Sequence, residues 1–540
     1  MPPDRPAERH TAAIGSIAPE GGPPSPDNYD RLPYPAMPQA LSQPQHLAAL
    51  AILYGLDPPD VTGARVLELG CASAGNIIPL AARFPHATFH GVDLAQRHID
   101  EGRRRIAELG LDNISLEQGD LTALDLGDRR FDFIICHGVF SWVPRPAQDA
   151  IFRICRQALA PNGLATISYN VLPGWHLRMV IRDLCRRYGG DGTPQQRVAR
   201  ARTALQQIAE ASTEAEPYGQ LLRLEAKRLK DVPSAYILGE FLAAENRPCH
   251  VRDFIARAAE AELGYLCEAD LAAAVPPELD PGVRGRIERL AGSDRAMAEQ
   301  HIDFLTGRLF RRSVLVRRSA PSPSAVPVPA ALRRLHLASQ VRFDPVQSND
   351  SRAVYIDRQA RPVSTTDAAI RLTLERLEAA YPQTLTLDAM LAGLANGTQD
   401  HAAAEARIAR AILAIVLAGR ASVSVLPFRG GRANDVRPRT WAVARADAAS
   451  AQPWVTTLLH GAVPASPILR MLLPLLDGSN DRATLRERIA AALRQGTLEM
   501  AELPAGQPPP AEGRIGEVAE LYLVQALGFL ERNALLEPDA

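Results

Sequence analysis

The chain has 540 residues, 46% of them hydrophobic, with 60 Lys+Arg against 61 Asp+Glu and a formal net charge of -1. This length exceeds what one core organises and predicts about three or four domains, while the balanced charge excludes a whole-chain attraction to nucleic acid or an anionic membrane. The six cysteines form no CxxC pair and sit in apolar runs, which points to buried thiols in a reduced, cytoplasmic setting. The longest apolar run, Ala411 to Leu417, falls far short of the ~18 residues a membrane span needs, so no span is expected.

Residues 1–27 are rich in Pro, Gly and small polar residues, a composition that predicts a disordered tail. From Asn28, NYDRLPYPAMPQALSQPQHLAALAILYGL places Tyr29 and Tyr34 in a proline-punctuated segment before a helical pattern near Gln43; this reads as an ordered strap or lid. Between Arg65 and Asn170, apolar runs VLEL (66–69), FHGV (89–92), ISLE (114–117), FIIC (133–136) and ATISY (165–169) alternate with helical periods. Strand starts about 20 to 30 residues apart leave room for crossover helices, which predicts a doubly wound α/β domain over 28–190 with a mostly parallel, Rossmann-like sheet.

Residues 194–318 read as helix after helix without strand alternation, an all-α domain. A proline-rich linker follows at 319–330. In 331–450, helices near 366–380, 386–394 and 402–418 precede a strand SVSVLP, a Gly/Arg turn and a second strand TWAVAR, the order of a winged helix. The last block, 451–540, reads as a further helical or winged-helix-like module with a helix cap at Asp481.

The chemistry sits after the first strand, in VLELGCASAGN at 66–76. An acid in the strand, a glycine two residues on and small residues in the turn let the backbone approach a ligand above the strand end. A dinucleotide fold requires G-x-G-x-x-G and a diphosphate, and Glu68 would stand beside that negative group; here Ala72 and Ala74 break the register. S-adenosylmethionine carries a sulfonium and an ammonium instead, which Glu68 attracts. Asp93 closes the second strand, where a carboxylate accepts ribose hydroxyls, and Asp120 follows the third, placed to accept from an adenine amino group with Leu121 against the ring. A single acid of this kind often only ends a strand. Three at successive strand ends form a pattern.

VLELGCASAGN, GVDL (91–94) and GDL (119–121) resemble the glycine-rich, ribose and adenine motifs of class I S-adenosylmethionine-dependent methyltransferases. More narrowly, YDRLPY (29–34), FIICHGVFSWVP (133–144), SYNVLPGWHLR (168–178), ENRP (245–248), GYLCEADL (264–271) and DFLTGRLFRR (303–312) resemble bacterial methyltransferases with a methyltransferase regulatory domain, a group that includes rickettsial protein-lysine methyltransferases of outer-membrane proteins. The resemblance spans most of 28–320 and is loose beyond. It implies S-adenosyl-L-methionine as cofactor, held by Tyr29, Tyr34, Glu68, Gly70, Ala72, Gly75, Asn76, Asp93, Leu94, Asp120, Leu121 and His137. Two positions depart from the family pattern: Ala74 stands where glycine is usual, and Gly239 where a histidine is expected.

The resemblance also implies methylation of a protein side chain, with a lysine amine as acceptor. Methyl transfer from an activated cation asks the protein for alignment, water exclusion and a neutral nucleophile. His137, just past the fourth strand, is placed to take a proton or touch the cofactor, and equally to support its neighbours. Tyr169 and Asn170 end the fifth strand, where they either hydrogen-bond an amine or cap the sheet. Trp142 and Trp175 either wall an acceptor channel or pack in the core. No HExxH, GxSxG, Walker loop or metal-ligand cluster occurs in the sequence, so no metal is expected. A small-molecule acceptor is an alternative. A rival of another class is a DNA-binding regulator that senses the cofactor, prompted by Arg429, Arg432, Arg437 and Arg439 in the wing; neutral overall charge weighs against nucleic acid.

Overall fold

A computed structural model describes residues 36–274, 281–358, 360–392, 400–499 and 512–538. The tail, Tyr29 and Tyr34 lie outside the described residues. Seven strands form the main sheet: β1 (Arg65–Leu69), β2 (Thr88–Asp93), β3 (Ile114–Gln118), β4 (Phe131–Cys136), β5 (Leu159–Asn170), β6 (Leu263–Glu268) and β7 (Phe310–Arg317), in the order β3-β2-β1-β4-β5-β7-β6. The first five are parallel, and β7 runs antiparallel between β5 and β6. Val66 to Leu69 are all buried, as a central strand covered on both faces demands. The helix Gln96–Leu109 buries His98, Ile99 and Gly102 against the sheet and ends at Gly110 in the left-handed conformation (φ 64°). A Cβ at Gly102 would stand 2.5 Å from a terminal methyl of Leu116 and 3.1 Å from Ser73 O, so a larger residue would have to displace the leucine side chain for the helix to lie this close to the sheet.

The five expected strands are present. The reading of 194–318 without strands is corrected: β6 and β7 arise inside it and complete the sheet. The intervening helices Gly174–Gly189, Pro194–Ala211, Pro217–Leu229 and Ser234–Phe241 form an insertion with its own core around Ile181, Leu205, Leu222 and Phe241. Sequence periodicity misreads β7 because Arg311, an inward position, is a fully buried cation. It bonds Asp303 (2.8 Å) on the helix Arg295–Thr306, Glu299 (2.9 Å) on that same helix, and Glu268 (3.3 Å) on β6.

The strap helix Pro44–Leu53 is apolar around almost its whole circumference, with every residue but His46 buried. It is enclosed because one continuous core joins it to the sheet on one side and to Leu337, Ile408 and Ile412 of the middle module on the other. The linker runs back along this helix, with Ser324 N–H on Tyr54 O and Val328 N–H on Leu53 O, both at 2.8 Å. The helices Ala368–Ala380, Leu387–Leu391 and Asp400–Leu417 and the strand Ala421–Ser424 follow the expected order. TWAVAR, expected as a strand, is instead the start of the helix Ala442–Ala449, with Trp441 at its N-cap; its alanines favour helix. That helix opens the last module, which continues through the hairpin Trp454–Thr456/Ala462–Pro464 and the helices Pro467–Leu472, Arg482–Arg494 and Glu512–Arg532 around a third core. Asp481 caps its helix by accepting Thr484 N–H at 2.8 Å. Among the described residues, no helix is long and apolar enough to cross a membrane.

Candidate functional site

Strand order reverses between β1 and β4, which opens a crevice at the carboxyl ends of the parallel strands. The turn after β1 is held in a strained path. Gly70, Ala72 and Ala74 all have positive φ (69°, 47° and 58°), and each alanine costs about 1–2 kcal/mol there. The Ala74 methyl is nevertheless fully buried in the core, so its penalty is backbone strain and not intrusion toward a ligand. A Cβ at Gly70 would lie 2.3 Å from Val139 Cγ2, and one at Gly75 would lie 2.1 Å from Ala36 O of the strap. Two of the glycines in the motif thus serve close backbone and side-chain approach.

Glu68, 4% exposed, has one oxygen fixed and one free. Asn76 Nδ2 donates to Oε1 at 2.8 Å, whereas Oε2 is buried without a hydrogen-bond partner among the described residues. Burial, with Asp93 adding repulsion and Asn76 partly opposing, pushes the carboxyl up to about 8. A buried acid with an orphaned oxygen fits a cationic group, which would restore its charge. Asp93 is tied to both flanking turns: Oδ2 accepts Ala72 N–H at 2.8 Å, and Oδ1 accepts Ala95 N–H at 2.9 Å with His98 Nδ1 at 3.4 Å. Leu94 beside it is half-buried. Asp120 is exposed and accepts from Thr122 N–H (2.8 Å) and Oγ1 (2.9 Å), while Leu121 is buried.

Across the crevice, His137 follows β4 with its ring edge-on to Phe310 at 5.9 Å. Burial and the nearby Arg312 guanidinium pull its pKa down to about 3, so it is neutral at pH 7. Gly138 N–H donates to Ser168 Oγ at 2.7 Å, fixing the loop to β5. Asn170 Nδ2 donates to Asn246 Oδ1 at 3.0 Å, and Asn246 Nδ2 is buried without a partner among the described residues. Trp142 meets Trp175 edge-to-face at 6.0 Å, with the Arg178 guanidinium 5.5 Å from the Trp175 ring centre. Trp175 is fully buried with its indole N–H unpartnered among the described residues.

Tyr169 does not join this group. Its ring stacks on Phe254 at 3.9 Å in the second core, and its hydroxyl pairs with Ser313 at 2.9 Å, because neighbours on a strand face opposite sides. The expectation that it contacts an acceptor is corrected. Sequence reading gave no role to Asn246, although ENRP was noted, nor to Gln39, Ser42 and His460, which surround Asn76. In the segment expected to be a wing, which has no second strand among the described residues, Arg432 pairs with Glu531 and Arg439 with Glu537, each at 3.0 Å, which engages two of the four arginines internally. Among the described residues no group of three or more His, Cys, Asp or Glu is placed to hold a metal.

Comparison with known proteins agrees with this geometry. A methyltransferase-domain model matches residues 66–163, a predicted methyltransferase regulatory domain matches 233–317, and the PKMT C-terminal winged helix domain matches 437–535. The uncharacterized protein RP789 of Rickettsia prowazekii is 38% identical over 290 residues, 53% of this chain and 52% of that protein. RP028 of the same organism is 33% identical over 233 residues, 43% of this chain and 93% of that protein. The chain thus spans about half the length of the first relative. The structure of PKMT2 from Rickettsia typhi in complex with AdoHcy shares the fold, with TM-score 0.82 and 24% identity over 93% of this chain and 100% of that one. The chain therefore belongs to the class I S-adenosylmethionine-dependent methyltransferases that carry a methyltransferase regulatory domain.

Proposed function

We propose that this protein transfers a methyl group from S-adenosylmethionine to a side-chain nitrogen of a protein, a lysine amine. The observation that carries the cofactor assignment is the buried Glu68 carboxyl with its free Oε2, complementary to a cation. On this reading Glu68 holds the methionyl ammonium, Asp93 the ribose hydroxyls, and Asp120 with Leu121 the adenine, while Gly70, Ala72, Gly75 and Leu94 shape the cradle. When bound, the cofactor supplies an activated methyl group, so the chain needs no strong base.

The acceptor side is built for a neutral nitrogen. His137 is uncharged at pH 7 and its ring accepts a hydrogen bond from the arriving amine. Asn170 with Asn246 supplies amide groups, and the half-buried Trp142, backed by the buried Trp175, offers an apolar surface that favours the deprotonated amine. The fold shared with PKMT2 along nearly the whole chain supports a protein acceptor.

The test is incubation of the full chain with tritiated S-adenosylmethionine and an extract of its source organism, followed by mass spectrometry of labelled material. Label on lysine is the expected result; label only on small molecules would refute the protein assignment. His137→Ala should lower kcat about 10- to 100-fold without moving an inflection between pH 5 and 7, since the ring does not titrate there.

A further inference from the structure

The last module of the chain reaches the first turn of the sheet. His460 lies in the loop of the hairpin Trp454–Thr456/Ala462–Pro464 and is 2% exposed. Its backbone is left-handed (φ 59°), an unfavourable state for a non-glycine residue. The loop itself enforces that state: His460 N–H bonds Thr457 O at 3.0 Å, Thr457 N–H bonds Gly461 O at 2.8 Å, and Gly461 N–H bonds Thr457 Oγ1 at 3.0 Å. The outcome is that His460 Nε2 stands 2.9 Å from Asn76 Oδ1.

The chemistry of this contact is determined. Asn76 Oδ1 also accepts Gln39 N–H at 2.9 Å, and a backbone N–H can only donate, so that atom is the amide oxygen. His460 Nε2 therefore carries the hydrogen. With Oδ1 fixed, Nδ2 turns to Glu68 Oε1 at 2.8 Å and to Ser42 Oγ at 3.3 Å. Asn76 has all four of its hydrogen-bonding positions engaged, by the strap, by the last module and by β1. Without His460, one of the two acceptor contacts that fix the amide is lost, and a buried amide oxygen is left partly unsatisfied.

The groups facing this chain of contacts are few. Burial beside the Arg83 guanidinium holds His460 down to about 3, so it stays a neutral donor. Arg83 donates to Leu458 O in the same loop and lies 5.8 Å from the Phe428 ring, and Arg105 pairs with the buried Asp447 at the module's first helix; these contacts seat the hairpin on the sheet domain. Around Glu68 the titratable neighbours are Asp93 on β2, Cys71 in the turn and Cys136 on β4.

We propose that His460 is a positioning residue for cofactor capture: by donating Nε2–H to Asn76 it locks the amide that holds Glu68 Oε1, leaving Oε2 for the cofactor ammonium. The C-terminal module is thereby a component of the cofactor site. This rests on the reading that Glu68 faces that ammonium.

The test compares full-length His460→Gln, His460→Asn and Glu68→Gln with the parent protein, titrating S-adenosylhomocysteine by calorimetry from pH 6 to 9 and measuring KM and kcat with S-adenosylmethionine. Glutamine places an N–H where Nε2 stands; asparagine is too short, with the same polarity. His460→Gln should bind within about twofold of the parent, and His460→Asn about tenfold more weakly, roughly the loss of one hydrogen bond. The asparagine variant should also raise KM with little change in kcat and shift the pH dependence of binding to the alkaline side, because Glu68 loses an oriented donor. The asparagine variant should also melt below the glutamine one, because a buried amide oxygen loses a donor, so the alkaline shift of binding is the readout that separates capture from folding. Equal affinity of both variants with the parent, or equal weakening of both with an unshifted pH dependence, would overturn the proposal. Unchanged affinity of Glu68→Gln would overturn the reading of Glu68 and the proposal with it; weak Glu68→Gln beside an unaffected His460→Asn would overturn the proposal alone.

Discussion

The Asp93 carboxylate accepts the Ala72 N–H at 2.8 Å, tying the end of β2 to the turn after β1. Its other oxygen accepts Ala95 N–H at 2.9 Å, so one side chain sets the path of both loops that border the crevice. Asp120, by contrast, is exposed and, among the described residues, its carboxylate bonds within its own turn, to Thr122.

Asp93→Ala is therefore expected to weaken S-adenosylhomocysteine binding by at least about tenfold, since charged hydrogen bonds of this kind are worth about 1.5–3 kcal/mol each. Asp120→Ala should cost less. Isothermal titration of the two variants checks the order.

Glu68 is expected to release a proton when the cofactor binds. At pH 7 a carboxyl raised to about 8 holds its proton, and a bound cation favours the charged form. Calorimetry in buffers of different ionisation enthalpy reads the release, and Glu68→Gln abolishes it. The same shift sets a stability trend: the free native protein keeps a proton that the unfolded chain loses above its ordinary pKa of 4.5. Stability of the free protein should fall as pH rises through that window toward 8, and Glu68→Gln should flatten the slope.

Gly75→Ala should lower stability by about 1–3 kcal/mol, because its methyl meets the Ala36 carbonyl, an unyielding backbone group, at 2.1 Å. Relief requires the strap to lift from the turn. Urea unfolding measures the loss, and faster proteolysis near Ala36 reports the lifting.

Arg311→Met should destabilise by about 3–5 kcal/mol, the cost of stranding buried carboxylates without their cation. Asp303 and Glu268 have no exposed route to water, at 0% and 2%, and Glu299 also loses its contact. In the variant these acids bind protons more tightly when folded, so stability should partly return as pH falls toward 5. Thermal melts across that range check the sign.

The parallel half of the sheet was legible because its strands are continuous apolar runs separated by amphipathic helices and turn residues. Glu68, Asp93 and Asp120 were legible as acids at strand ends, although only Glu68 and Asp93 are drawn into the hydrogen bonds around the turn. Periodicity failed where tertiary structure overrode it. At β7 a buried arginine replaces an apolar residue, and its three carboxylate partners come from β6 and one helix. Tyr169 and Asn170 looked equivalent until the pleat sent one to the core and the other toward Asn246. The contact between His460 and Asn76 joins positions 384 residues apart, and no local pattern encodes such a pairing.

Placing β7 between β5 and β6 has a consequence for synthesis. When β5 leaves the ribosome its outer edge has no partner, and the strand that covers it is made only after the helical insertion and β6. At about 5–20 residues per second this interval is on the order of ten seconds. Throughout it the nascent sheet presents an unpaired row of N–H and C=O groups, an edge on which neighbouring nascent chains of this protein can pair until β7 emerges.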